Sequence, residues 1–416
     1  MRLTSGARIR IVGPLRFRFS LRLCVEGLRF LCPTARKKGT RMKITDVQVL
    51  QLAGPELPRI MKPAWAPGSQ WPRWGGTIVQ VFTDEGIVGL GSPGYAISPL
   101  IESWIKPQLI GQDPFALERH ARVFRNANAG WGVEIALWDI IGKACGQPVY
   151  KLWGAARERV PAYASCIEVS TPAQRADDVL RLRTEGWRAS KLRIHDATIE
   201  ADVAQIEAVR RAVGDEFTLM VDANQAQLPG TLQPEPGPVW SYERALQTAR
   251  ELERLGVYWL EEPLDRYDFD NLTRLCAAVD ILIAGGENNC GLHEYRWLVE
   301  RNCYDVLQPE AMVGETMSQI RKACALAEIH HKICAPHHGG GGLGFVAHLH
   351  LCAAIPNCPF VEVFHDPPGF TSDIFQWYLA EPIRLDAADG CMAVPQKPGL
   401  GVELDADKVN RYALSR

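Results

Sequence analysis

Ser190-Lys191-Leu192-Arg193-Ile194, Phe217-Thr218-Leu219-Met220-Val221-Asp222-Ala223-Asn224, Val257-Tyr258-Trp259-Leu260-Glu261-Glu262-Pro263, Ile281-Leu282-Ile283-Ala284-Gly285-Gly286-Glu287-Asn288, Tyr304-Asp305-Val306-Leu307-Gln308-Pro309-Glu310 and Lys332-Ile333-Cys334-Ala335-Pro336-His337-His338 form a series of short apolar runs, each ending in a charged or polar group. Glu261 and Glu287 are 26 residues apart, Glu287 and Glu310 are 23 apart, and Glu310 and His337 are 27 apart. That step suits one strand, one helix and two loops. A parallel strand covered on both faces reads as a continuous apolar run. Several such units in a row imply a (β/α) barrel, in which the carboxyl ends of the strands share one face and carry the site. The terminal charged groups are therefore expected to converge.

Working outward, Val160–Cys166 reads as the first barrel strand and Phe360–Phe364 as the last. Helices are expected over Gln174–Glu185, Ile199–Val213, Ser241–Leu255, His293–Arg301, Thr316–Ile329 and Leu343–Ala354. The 39-residue step from Asp222 to Glu261 contains a Pro/Gly-rich insert, Pro229–Pro238. Residues 161–365 are thus assigned to the barrel, residues 42–160 to an α+β capping domain, and residues 366–416 to a segment returning to the cap. In the cap, Val47–Leu52 and Thr77–Phe82 alternate as strands, Asp84-Glu85-Gly86 marks a hairpin turn, and Pro99–Leu109 and Trp131–Cys145 are helical, with Gly146 as the stop. The loop Met61–Gly76 holds Trp65, Trp71 and Trp74 and is expected to close over a ligand.

Residues 1–41 carry 11 Lys/Arg against one acid, Glu26, which leaves 35 basic and 47 acidic side chains in the rest. This leader lacks the clean apolar stretch of a secretory signal. Met42 reads as the natural start, and residues 1–41 are expected to pack poorly. The net charge of −2 offers no footprint for nucleic acid or membrane. No apolar run reaches the ~18 residues of a membrane span. The 12 cysteines show no CxxC spacing, so buried free thiols in a reducing, cytoplasmic setting are expected.

Three carboxylates at strand ends, Asp222, Glu261 and Glu287, suit a hard divalent cation, for which Mg²⁺ with its oxygen ligands is the expectation. Glu262 is expected on the opposite side of its strand, in a supporting role. His337 is the expected general base, oriented by a carboxylate at the neighbouring strand end, Glu310. His338 should face the other way, and His330, His331, His348, His350 and His365 are read as structural. Lys191 and Arg193 stand two apart on a strand and so point the same way. Arg193 stays protonated and is suited to binding an anion, not to removing a proton. The glycine run Gly339–Gly342 is too short, and lacks the following lysine, for a phosphate loop.

Taken in order, these residues resemble the enolase superfamily, in its mandelate racemase subgroup. The likeness runs from Met42 nearly to the end and includes Ala136-Leu137-Trp138-Asp139, Gly146-Gln147-Pro148, Lys191-x-Arg193, Val221-Asp222-Ala223-Asn224, Glu261-Glu262-Pro263, Gly286-Glu287-Asn288, Pro336-His337 and Phe360-Val361-Glu362. It implies a (β/α)7β modified TIM barrel under an α+β cap, with Mg²⁺ on Asp222, Glu261 and Glu287. It implies removal of the proton next to a carboxylate, and a homo-oligomer. Glu362 matches a family acid that contacts the substrate carboxylate. Asn224, Trp65, Trp71 and Arg73 are expected at the substrate.

Two departures bear on the reaction. Arg193 stands where the family often has a basic lysine, and Glu310 stands where it usually has aspartate. With one evident base, the expectation is a sugar-acid dehydratase acting on a small carboxylate and releasing a 2-keto-3-deoxy acid. The alternatives are a racemase or epimerase of a 2-hydroxy acid and a barrel that binds metal and acid without turnover.

Overall fold

Eight short parallel strands form the barrel: Arg159–Ser165, Ala189–Arg193, Thr218–Asp222, Trp259–Glu261, Leu282–Gly285, Val306–Leu307, Ile333–Cys334 and Val361–Phe364. The ladder runs in that order from the first to the seventh, and the eighth pairs in parallel with the first. A computed structural model describes residues 41–93, 98–127, 130–226, 237–313 and 316–414. The expectations for the leader, and for all but the last two residues of the Pro/Gly-rich insert, lie outside the described residues.

A helix follows each of the first seven strands: Pro172–Thr184, Ile199–Val213, Tyr242–Arg254, Phe269–Cys276, Gly291–Glu300, Met317–Ile329 and Gly342–Ala354. The architecture is therefore (β/α)7β. The helix starts are chemically explicit. Thr171, Thr198, Ser241, Asp268 and Thr316 each accept a hydrogen bond from the backbone N–H three residues on, satisfying one of the donors a helix start leaves free. Phe269–Cys276 is a helix that the sequence reading did not name. Its apolar stripe is only two turns long. The last helix, Gly342–Ala354, is buried along its whole length, as its nearly unbroken apolar sequence requires.

The cap has a three-stranded antiparallel sheet of Ile44–Leu52, Gly76–Thr83 and Val88–Gly91, with Gly86 at the turn in a left-handed conformation. Trp131–Cys145 packs against the third strand and ends at Gly146, φ 65°. Close approach is possible because that strand carries Gly89 and Gly91: a Cβ on either would lie 2.0 Å from a helix carbonyl oxygen, of Ala136 or Gly132. Buried Asp139 on the helix ties three segments together. It accepts from the N–H of Leu90 and of Leu400 and pairs with Lys143.

Two pairings escaped the sequence reading. Glu56–Met61 and Trp71–Arg73 form an antiparallel ribbon across part of the segment expected to be loop. The hairpin Leu385–Asp386/Cys391–Ala393 adds antiparallel to the first barrel strand. The chain end returns to the cap, where Ala53 N–H donates to Tyr412 and Leu414 N–H donates to Gln51. Residues 42–416 form one compact unit. All ten cysteines among the described residues are free thiols, and no helix among those residues is long and apolar enough to cross a membrane.

Gly91→Ala should lower unfolding free energy by about 1–3 kcal/mol, the usual cost of overpacking, measured by denaturant titration. A second expectation concerns His350. Its Nδ1 accepts the Tyr150 N–H at 3.2 Å and its Nε2–H donates to the Leu400 carbonyl at 3.1 Å. Burial pushes the ring down to about 4. The unfolded chain therefore binds one proton more between pH ~6.5 and ~4, and stability falls with acidification through that window. His350→Gln should show a shallower acid slope than the parent protein.

Candidate active site at the carboxyl ends of the barrel strands

Strand register places the charged ends side by side. Arg193 lies opposite Asp222, and Asp222 lies opposite Glu261. These residues, with Lys191 and Glu362, are essentially removed from solvent. Lys191 Nζ bonds Glu261 and stands 3.0 Å from Glu362 Oε1 and 3.5 Å from Asp222 Oδ2. Burial favours the neutral amine, yet Glu261 and Glu362 hold Lys191 above its ordinary range. Arg193 bonds Asp222, donates to the Cys166 carbonyl at 2.8 Å and to Ser165 at 3.2 Å, and lies 4.8 Å over the Trp65 ring. The guanidinium is thus clamped on every side.

The acids outnumber these fixed cations. Burial, reinforced by Asp222, Glu362 and Glu287 and only partly offset by Lys191, pushes the Glu261 carboxyl up to about 8. Glu261 Oε2 also accepts from Gln308 at 2.7 Å and Trp259 at 3.1 Å. Burial works in the same direction at Glu362, but Lys191, His337 and Arg193 overcome it and hold that carboxyl down at about 2. Closely spaced buried carboxylates of this kind call for further positive charge. An all-oxygen donor set of that charge fits a hard divalent cation.

Asp222 and Glu261 stand side by side in register, and Lys191 Nζ reaches both. Glu287 turns aside, its Oε2 standing 3.0 Å from His337 Nε2 and its Oε1 accepting from Asn288 at 2.9 Å. In this arrangement the three carboxylates do not each place an oxygen within 4.8 Å of both others. Among the described residues, the group that meets that spacing is Glu310, His338 and His348. Glu262 requires a correction. It adopts φ 45°, which breaks the strand alternation, and its Oε1 accepts from the same Asn288 amide at 2.9 Å. Its carboxyl therefore joins the acidic cluster: burial first, then Glu287 and Asp222, push it well above its ordinary range.

His337 bridges two acids. Nδ1 is 3.1 Å from Glu310 Oε2, so the longer glutamate side chain does reach the ring, and Nε2 faces Glu287 with Glu362 at 3.5 Å. Burial disfavours the charged ring, but Glu287 and Glu362 hold it well above the usual imidazole range. A cavity of about 470 Å³ opens beside it. Arg193, Asn224, Glu287 and His337 line its floor, and Trp65, Trp71, Arg73 and Trp74 from the cap line its wall. The Trp65, Trp71 and Trp74 rings stack edge-on or tilted with centroids 5.3–5.4 Å apart. Arg73 pairs with Glu56 and donates to the Gly54 carbonyl at 3.3 Å. Gln308, quoted in the sequence two residues before Glu310, was given no role there, yet it donates to the buried Glu261 carboxyl. His338 is not among the residues that line the cavity; its Nδ1 stands 3.3 Å from the other carboxylate oxygen, Glu310 Oε1, and its ring stacks on His348.

Family models agree with this arrangement. Residues 174–408 match the enolase C-terminal domain-like model, and residues 76–154 match the N-terminal domain of mandelate racemase and muconate lactonizing enzyme. The chain belongs to the enolase superfamily. Within that superfamily it is 33% identical to the L-talarate/galactarate dehydratase of Salmonella typhimurium over 72% of each chain. It is 29% identical to the D-galactarolactone cycloisomerase of Agrobacterium fabrum, over 90% of this chain and 99% of the relative. Among solved structures it resembles a racemase from Streptomyces coelicolor with bound magnesium. That match has a TM-score of 0.77 and 25% identity, and covers 89% of this chain and all of the other. Its superfamily relatives thus include enzymes acting on sugar acids and their lactones.

Lys191→Met should destabilise the chelator-treated protein by about 3–5 kcal/mol, because it leaves Glu261 and Glu362 buried without their counter-charge. Urea unfolding in the presence of EDTA measures this.

Proposed function

We propose that this enolase-superfamily chain is a Mg²⁺-dependent sugar-acid dehydratase working with one base. The observation that carries the reading is the asymmetry of the cavity floor. His337 presents Nε2 from one side, backed by Glu310. The other side offers Arg193, whose guanidinium is engaged by Asp222, Ser165 and a carbonyl and cannot serve as a base near neutrality. The similarity to the talarate/galactarate dehydratase supports the same reaction class.

Asp222, Glu261 and Glu287 are the residues we assign to the cation. Engagement of all three asks Glu287 to exchange its His337 contact for the ion. Bound there, Mg²⁺ supplies a Lewis acid for the substrate carboxylate and offsets the anions that hold the His337 proton. His337 Nε2 then takes the α-proton, and the C–H electron pair moves into the carboxylate to give an enediolate. Lys191 and Arg193 contribute fixed positive charge beside it. The enediolate collapses, the β-carbon–oxygen bond breaks, and His337 returns its proton to the departing hydroxide as water. Tautomerisation of the enol yields the 2-keto-3-deoxy acid. Glu310 keeps the imidazole oriented throughout. The three tryptophans give the wall an aromatic surface suited to the C–H faces of a polyhydroxy chain, and Asn224 and Arg73 offer polar groups for its hydroxyls.

A panel of hexonates, pentonates and aldarates incubated with Mg²⁺ in D₂O tests the reading. Keto-acid formation that stops with EDTA, resumes with added Mg²⁺ and falls about 10²–10⁴-fold in His337→Asn is the expected result. Deuterium at the α-carbon with inversion and no keto acid would replace it with racemisation. Neither product from any acid would favour a barrel that binds without turnover.

A further inference from the structure

The three carboxylates assigned to the cation are not held alike. Asp222 is bonded by Arg193 and accepts the Asn224 N–H at 2.8 Å. Glu261 is bonded by Lys191 and accepts from Gln308 and Trp259. Glu287 faces His337 through Oε2, the contact it exchanges for the ion, and its Oε1 accepts from Asn288 at 2.9 Å. The same Asn288 amide nitrogen donates to Glu262 Oε1, also at 2.9 Å. A carboxylate oxygen only accepts, so the NH₂ end of Asn288 faces the two acids, and each of its two hydrogens has a taker. Glu262 is the fixed end of this bridge. It is fully removed from solvent, its N–H donates to the Ala284 carbonyl, and its own carbonyl accepts the Gln225 N–H, both at 2.9 Å. Its φ of 45° turns it out of strand alternation and brings its carboxyl to Asn288. Gly286, with φ 108°, turns the next strand end just before Glu287 and Asn288.

We infer that Asn288 is a positioning residue: its amide ties Glu287 to the buried Glu262 and so holds the Glu287 carboxylate ready for the cation. With Oε1 kept by Asn288, the exchange of partners falls to Oε2. A glutamate tethered in this way has less side-chain freedom left to lose when it takes up an ion. Donors behind a metal ligand fix its orientation, and removing one typically costs about 10–100-fold in metal affinity. Asp222 and Glu261 each have a fixed cation beside them as well as neutral donors. Glu287 has the Asn288 amide, so its readiness depends on that one group once His337 is released. Asn288 also lines the cavity. Both its amide hydrogens are committed to the two acids, which leaves its carbonyl oxygen as the atom it can offer a substrate.

The inference rests on the assignment of Glu287 to the cation, and it is read from Mg²⁺ binding without substrate, so the outcome of the sugar-acid panel does not decide it. Calorimetric titration of chelator-treated protein with Mg²⁺, after the chelator is removed, compares the parent with Asn288→Ala. The variant is expected to bind Mg²⁺ about 10-fold more weakly or worse. A merely structural asparagine would instead lower the urea midpoint in EDTA and leave Mg²⁺ affinity where it was. A loss of affinity smaller than about 10-fold in folded Asn288→Ala would overturn the positioning role. If Asn288→Ala does not fold, Asn288→Leu, which fills similar space without a donor, is read in the same way. A parent protein that binds no Mg²⁺ would overturn the cation assignment itself, a failure distinct from equal binding by parent and variant. With an active sugar acid, the Mg²⁺ concentration giving half-maximal activity should rise by the same factor.

Discussion

Lys191 sits with its ammonium among Glu261, Glu362 and Asp222, out of contact with water. In so dry a setting an unpaired charge is costly, and every neighbouring group must answer to it. Strand register brings the partners within reach: Arg193, Asp222 and Glu261 occupy matched positions on three consecutive strands. The barrel can hold this concentration of charge because side chains from the strands and surrounding helices pack it on all sides. The same packing keeps the donors from moving apart.

The charge balance also links the parts of the site to one another. Glu261 is left short of positive charge, Glu287 leans on His337, and His337 leans on Glu310. Glu287 thus belongs both to the acidic cluster and to the imidazole. Any cation that engages Glu287 changes the environment of the proposed base at the same time. On the far side of His337, Glu310 also meets His338, whose ring stacks on His348, so close polar and ring contacts run from the cavity floor to the buried final helix of the barrel. Above the floor, the cap contributes tryptophans. Trp65 covers Arg193, and Trp74 packs on Phe370 with centroids 5.0 Å apart, so the aromatic wall is anchored to the barrel as well as to the cap.

Much of this was legible from the chain. A strand covered on both faces must be apolar throughout, so its charged terminus stands out, and the regular step between termini identifies the barrel. Asp222, Glu261 and Lys191 were found in that way, and they meet. Glu262 was misread because alternation holds only while the backbone stays extended, and here it turns to φ 45°. The hairpin Leu385–Asp386/Cys391–Ala393 and the cap ribbon were missed because short strands get their pairing from a distant edge. His348 read as helix filler, since its partners Glu310 and His338 lie 38 and 10 residues away on other segments.

The amino-acid order by itself determined the repeating strand–helix unit, the cap before it, and the kinds of charged group at each strand end. Those follow from periodicity and local hydrogen-bonding chemistry, which nearby residues settle. Only the tertiary structure decided how the charges are shared: Glu287 with His337, Glu262 within the acidic cluster, and Glu310 among three imidazoles. Electrostatic partnership in a dry interior turns on separations near 3 Å between residues far apart along the chain, and only the folded packing sets those.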